Sequence, residues 1–137
     1  MNVTDRTAVV TGGGTGIGRS IARALAEAGH EIIIVGRRQN VLGDAASEIN
    51  EEVGRKLVSW VQADLTDVDQ IRTMAAEVSA RFGTLDVLVN NAGTGTPGPE
   101  PIEDLEALAR HWQTAVAQNL LSAVLTTAAL RSFLRRP

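Results

Sequence analysis

Thr11-Gly-Gly-Gly-Thr-Gly-Ile-Gly18 is the stretch on which the fold turns. A short apolar run, Arg6-Thr-Ala-Val-Val-Thr11, leads into it. Beyond it Ile17, Ile21, Leu25 and Ala28 recur at helical spacing, with Gly29 where a helix C-terminus is expected. A glycine-dense turn between a strand and a helix suits an anion. The helix N-terminus offers unpaired N–H groups and a partial positive charge, and glycine lets backbone approach a phosphate closely. A tight strand–helix turn without a ligand uses the same residues, so the wider pattern has to decide between the two.

That pattern is an alternation of strands and helices. Strands are expected at 6–11, 31–35, 57–61 and 85–89. The second and fourth are apolar throughout, as in strands covered on both faces of a parallel sheet. Helices follow at Leu42, Ala45, Ala46, Ile49 and Val53, closed near Gly54, and at Val68, Ile71, Ala75, Val78 and Phe82, stopped at Gly83. A Gly/Pro/Thr-rich loop spans 93–101, and 102 to about 136 reads as helix, with a break near 110–112. The reading is an α/β fold of βαβ units with right-handed crossovers.

Composition sets limits. The chain has 137 residues, 44% apolar and 21% charged, with a net charge of −3. That is one domain with enough apolar residues for a core. The acidic balance gives no general attraction to nucleic acid or an anionic membrane. No cysteine is present, and the two histidines, His30 and His111, are far apart, so no metal motif is expected. No apolar run approaches the roughly 20 residues of a membrane span. The start, Met-Asn-Val-Thr-Asp-Arg, does not resemble a signal peptide, and the expected location is cytoplasmic. The tail Arg131-Ser-Phe-Leu-Arg-Arg-Pro137 reads as the cationic last turn of a helix rather than a nucleic-acid patch.

The spacing of the glycine turn separates phosphate-binding loops. A P-loop needs Gly-x4-Gly-Lys-Ser/Thr, which is absent, and Gly-x-Gly-x-x-Gly fails because position 17 is Ile. What stands here is Thr-Gly-x3-Gly-Ile-Gly. Together with Asp64-Leu65 after the third strand, Asn90-Asn-Ala-Gly93 after the fourth and Asn119 in the last helix, it resembles the N-terminal half of a short-chain dehydrogenase/reductase. The resemblance covers essentially the whole chain. It implies a Rossmann-type doubly wound parallel sheet of order 3-2-1-4, with residues 1–137 forming one dinucleotide-binding domain. It also implies a nicotinamide cofactor and a small alcohol or carbonyl substrate.

By that resemblance Gly12, Gly14, Thr15, Gly16, Ile17 and Gly18 meet the pyrophosphate, and Asp64 and Leu65 lie against the adenine. Asn91, Ala92 and Gly93 line the cleft while Asn90 braces the sheet. Each has an ordinary structural reading as well: 64–67 as a capped strand-to-helix turn, 90–93 as an Asn/Gly turn. In a dinucleotide fold the end of the second strand meets the ribose 2′ position, and a carboxylate there favours NAD. This strand ends Val35-Gly36-Arg37-Arg38. The missing carboxylate and the two arginines favour a 2′-phosphate, hence NADP(H) over NAD(H). Otherwise Arg37 and Arg38 are solvated cations at a helix N-terminus, which disfavours them.

Asn119 falls mid-helix beside Ala115, Val116, Ser122 and Ala123. Its amide there needs a partner or a role. The resemblance makes it the asparagine of the family's proton relay; a neighbouring backbone group would also satisfy it. The family's remaining chemistry uses Ser, Tyr and Lys, the last two as Tyr-x3-Lys. This chain has no tyrosine, and its single lysine, Lys56, precedes the third strand. The expectation is a cofactor-binding half without catalytic competence: a truncated, proteolysed or partner-dependent module. An exposed fourth-strand edge and an under-packed last helix then predict self-association, a homo-oligomer.

Overall fold

The computed structural model describes residues 6–95 and 104–135. Four parallel strands form one sheet in the order β3-β2-β1-β4: β1 Thr7–Thr11, β2 Glu31–Gly36, β3 Val58–Gln62 and β4 Val87–Val89. Helices α1 (Gly16–Glu27), α2 (Gln39–Val53) and α3 (Val68–Phe82) form the crossovers. This is the expected Rossmann sheet, and its order reverses between β1 and β4, where such folds open a crevice at the carboxyl ends of the strands.

The strand period of two sorts the core into layers. Ala8, Val10, Ile32 and Ile34 face Ala22 and Ala26 of α1 and Leu42, Ala45 and Ile49 of α2. Val9, Ile33 and Val35 face the opposite way, onto Ile71, Met74 and Val78 of α3. Apolar residues at successive positions therefore do not waste burial: each face has its own helical cover. Burying one such side chain contributes about 1.5–3 kcal/mol. Salt bridges Arg19–Glu48 and Arg23–Glu52 join α1 to α2 outside this core.

Several boundaries differ from expectation. Only Val87–Val89 forms β4; Leu85 is fully buried and makes a separate parallel bridge to Leu134. The last helix does not break at 110–112. Its α4 (Leu105–Val116) runs into a wide π turn, Ala117–Leu121, and on into α5 (Ser122–Leu130). In that turn the Ser122 N–H donates to the Ala117 C=O, one residue further back than in an α-helix. The helix also stops at Leu130, not near 136. The chain then turns so that Phe133 and Leu134 pack on the core, and Arg135 pairs with Asp86 at 3.1 Å. Tertiary packing of Leu134 beside Leu85 overrides the helical pattern, and it covers part of the edge expected to lie bare. The loop at 96–101 and the helix start at 102–103 lie outside the described residues, as do Arg136 and Pro137. No helix among the described residues is long and apolar enough to cross a membrane.

Candidate functional site

The crevice at the sheet's carboxyl edge holds a cavity of about 410 Å³. Gly12, Gly14, Thr15, Gly16 and Ile17 line it, and so do Arg37, Arg38, Asp64, Leu65, Asn91, Ala92 and Gly93. Four separate segments chosen from the sequence thus converge on one space. Gly18, which is buried, and Asn119, which is exposed, are not among its lining.

Gly18 is a packing glycine. A Cβ there would sit 2.2 Å from the Gly12 carbonyl oxygen and 2.4 Å from Asn91 Nδ2. Its bare Cα lets the first turn of α1 press against the loop ahead of it, which aims the helix N-terminus into the cavity. Thr15 is the N-cap of α1 but makes no capping hydrogen bond, and the first turn carries no acidic side chain. A hydroxyl and N–H groups are therefore available to an anion there. Ile17, although apolar, is 74% exposed on the cavity wall.

Thr11 joins the two sides of the crevice. Its buried Oγ1 accepts from the N–H groups of Asn91 (3.0 Å) and Ala92 (2.9 Å). Asn91 reciprocates, its Nδ2 donating to the carbonyls of Thr11 (3.1 Å) and Gly12 (3.3 Å). Asn90 donates to Thr127 Oγ1 on α5 at 2.9 Å and so braces that helix against the sheet.

Asp64 and Asp67 divide the labour of the next turn. Asp64 Oδ1 accepts from Thr66 Oγ1 at 2.7 Å and Thr66 N–H at 2.9 Å. These bonds, aided by the nearby Arg37 charge, hold its carboxyl below the ordinary range against a smaller opposing effect of burial. Asp67 is the cap of α3, accepting from the N–H groups of Asp69 and Gln70. The turn therefore caps a helix and also lines the cavity.

Arg37 and Arg38 close β2 at the cavity rim, and neither forms an ion pair among the described residues. Gly36 beside them leaves its Cβ position next to Leu42, which also lines the cavity.

Asn119 lies in the π turn and is satisfied by backbone. Its Oδ1 accepts from Thr94 N–H at 3.0 Å, and its Nδ2 donates to the carbonyls of Thr94 (3.0 Å) and Ala115 (2.9 Å). Gly93 makes room for it, since a Cβ there would lie 2.4 Å from Asn119 Oδ1. Neighbouring Gln118 accepts from the Thr94 hydroxyl, and both line the cavity with Ser122. Sequence reasoning missed Gln118 and Ser122, which lie in and just after the wide turn, and Thr94, for which its place directly after Gly93 was the available signal. Val41 and Leu42 were missed too; their place in the first helical turn after the arginines was the available signal.

A parallel sheet of this order, with a glycine turn opening a helix into the crevice at its switch point, defines a Rossmann-type nucleotide-binding fold. Residues 6–137 match the family model for short chain dehydrogenase. The chain belongs to the short-chain dehydrogenase/reductase family. It is 37% identical over 121 residues to cis-4-hydroxycyclohexanecarboxylate dehydrogenase of Sinomonas cyclohexanicum, covering 88% of this chain and 46% of that protein. L-sorbose reductase of Gluconobacter frateurii, solved with NADPH and L-sorbose, superposes with a TM-score of 0.86 at 31% identity, covering 98% of this chain and 49% of that one. Alcohol dehydrogenase of Thermococcus sibiricus, solved with 5-hydroxy-NADP, gives 0.81 at 31% identity, covering 94% and 53%. The chain thus spans about half the length of the relatives it matches.

Proposed function

We propose that this chain is the cofactor-binding half of an NADP(H)-dependent oxidoreductase acting on an alcohol or carbonyl. The observation that carries the proposal is the pair of arginines just after β2, without an ion pair among the described residues, where Gly36 stands in place of a carboxylate. Arg37 and Arg38 hold the 2′-phosphate, and the α1 N-terminus with Thr15 holds the pyrophosphate. Asp64 and Leu65 flank the adenine. Asn91, Ala92 and Gly93 form the wall towards the nicotinamide, which supplies or accepts the hydride when bound. Two relatives solved with NADP-type cofactors support the choice.

The test is a double substitution, Arg37→Asp with Arg38→Ala. Each charge-assisted hydrogen bond is worth roughly 1.5–3 kcal/mol, so NADPH affinity falls tenfold or more while NADH affinity changes little. Equal losses for both cofactors overturn the assignment.

A second reading separates binding from catalysis. No tyrosine is present, and Lys56 is exposed ahead of β3, at the end of the sheet remote from the crevice. By itself the chain then binds nucleotide without turning over substrate, acting as a binding or assembly module. NADPH consumption by the 137-residue chain above the rate in buffer overturns this reading.

Self-association completes the proposal. The helices α4 and α5 and the turn between them expose Leu105, Trp112, Val116, Leu120, Leu121 and Val124, and α4 buries no residue. Such a stripe favours a second copy. A monodisperse monomer at high concentration in light scattering counts against it.

A further inference from the structure

The outer edge of β3 has side chains standing where another strand's backbone would be. The register fixes which groups point outward. Leu57 C=O accepts from Ile32 N–H and Ala63 N–H donates to Gly36 C=O, both at 2.8 Å, so Ser59 and Val61 face β2. The backbone groups of Val58, Trp60 and Gln62 therefore face away from the sheet.

Asn50 of α2 answers the first of these. Its Oδ1 accepts from Val58 N–H at 2.8 Å, and from Leu57 N–H at 2.9 Å, while its Nδ2 donates to Val58 C=O at 2.9 Å. One side-chain amide thus makes both bonds that a neighbouring strand would make to Val58. Arg81 of α3 answers the second: its Nη1 donates to Trp60 C=O at 3.1 Å, while Nη2 is held by Glu77 at 3.0 Å. No side chain among the described residues covers the Trp60 N–H. A groove of about 680 Å³ runs along this edge between Gly43, Asn50, Trp60, Glu77 and Arg81.

The strand so protected needs protection. Val58–Gln62 reads Val-Ser-Trp-Val-Gln, with no charge, proline or glycine. That is the composition of segments that pair with their own kind. We infer that Asn50 and Arg81 close the β3 edge against pairing with the β3 of a second copy of this chain.

The surface involved is distinct from the exposed stripe of α4 and α5, and the inference stands whether or not a dinucleotide binds. The test uses the full chain with Arg81→Ala, Asn50→Ala and both together, followed by sedimentation velocity over a concentration series. Hydrogen exchange at the Trp60 amide, read at each concentration, locates any new contact. The double variant should associate at least about tenfold more strongly than the parent chain, with Trp60 amide exchange slowing as association rises. Arg81→Ala should show the same change to a smaller degree, and Arg81→Lys should restore part of the protection. Arg81→Ala leaves the core untouched, so it carries the test if Asn50→Ala fails to fold. Folded Arg81→Ala that matches the parent in mass distribution overturns the inference. So does association that leaves Trp60 amide exchange unchanged.

Discussion

Asn119 grips Thr94 by both its backbone groups, accepting from the N–H and donating to the C=O at 3.0 Å each. The loop after β4 is thereby fixed to a helix 25 residues further on. Asn119→Leu leaves two backbone groups and the Ala115 carbonyl without this partner. These groups are exposed and water can replace the lost partner, so a loss of only about 0.5–1.5 kcal/mol of stability is expected, with weaker dinucleotide binding in parallel. Thermal melts and calorimetric titration check both; an unchanged melting temperature would refute the anchoring role.

Gly18 and Gly16 should respond differently to alanine. At Gly18 the added carbon meets the Gly12 carbonyl oxygen at 2.2 Å, so the helix has to move away from the loop. Gly16 has open space around its Cβ position but a φ of +54°. Gly16→Ala should cost about 1–2 kcal/mol through backbone strain alone. Gly18→Ala should cost more and also displace the glycine turn ahead of α1. Chemical denaturation ranks the two, and the reverse order would contradict the packing described.

Thr11→Val keeps the shape of a buried side chain and removes the acceptor for two N–H groups, those of Asn91 and Ala92. An unsatisfied buried donor costs about 1–3 kcal/mol. Thr11→Ser, which retains the hydroxyl, should keep most of the stability and the cleft geometry. Denaturant midpoints for the pair separate hydrogen bonding from packing.

Asp86 should contribute to acid sensitivity. Its carboxylate accepts from the Thr7 N–H at 2.9 Å, the main reason its pKa lies below the ordinary range; burial opposes this, and Arg135 adds to the lowering. A carboxyl with a lowered folded-state pKa stabilises the protein above its unfolded value, near pH 4. That contribution disappears as pH falls through the folded value. Asp86→Asn should lower stability at neutral pH and flatten the acid limb of a stability–pH curve. Parallel curves for the two proteins would exclude this role.

Much of the fold was legible because strand and helix periods differ and because glycines punctuate them. The run at 31–35 lies within one residue of β2, since a continuous apolar stretch has few alternatives in a parallel sheet, and 57–61 lies within one residue of β3. The cleft residues were legible for a related reason: Gly12, Asp64 and Asn91 each follow a strand, where the fold places its crevice. The π turn was not, because nothing in Ala-Gln-Asn-Leu-Leu marks a wide turn. It carries Asn119, which bonds Thr94, a contact between distant segments that no local pattern shows. The end of the last helix was misplaced for the same reason. Leu134 leaves the helical path to lie beside Leu85, a partner 49 positions earlier that no local pattern reveals.

The strand order also divides the molecule in time. β1, β2 and β3 pair in sequence through short crossovers, whereas β4 must return to β1 across more than 70 residues, as in the pairing of Val10 with Val89. Loop closure makes the nearer pairings faster, so β1–β3 with α1 and α2 are expected to form first and β4 with α5 to dock late. The cleft takes the glycine turn from the first unit and residues 91–94 from the second. It therefore exists only after the last docking step. A ligand bound across it acts as a clasp between early and late parts of the chain, slowing unfolding far more than it speeds folding.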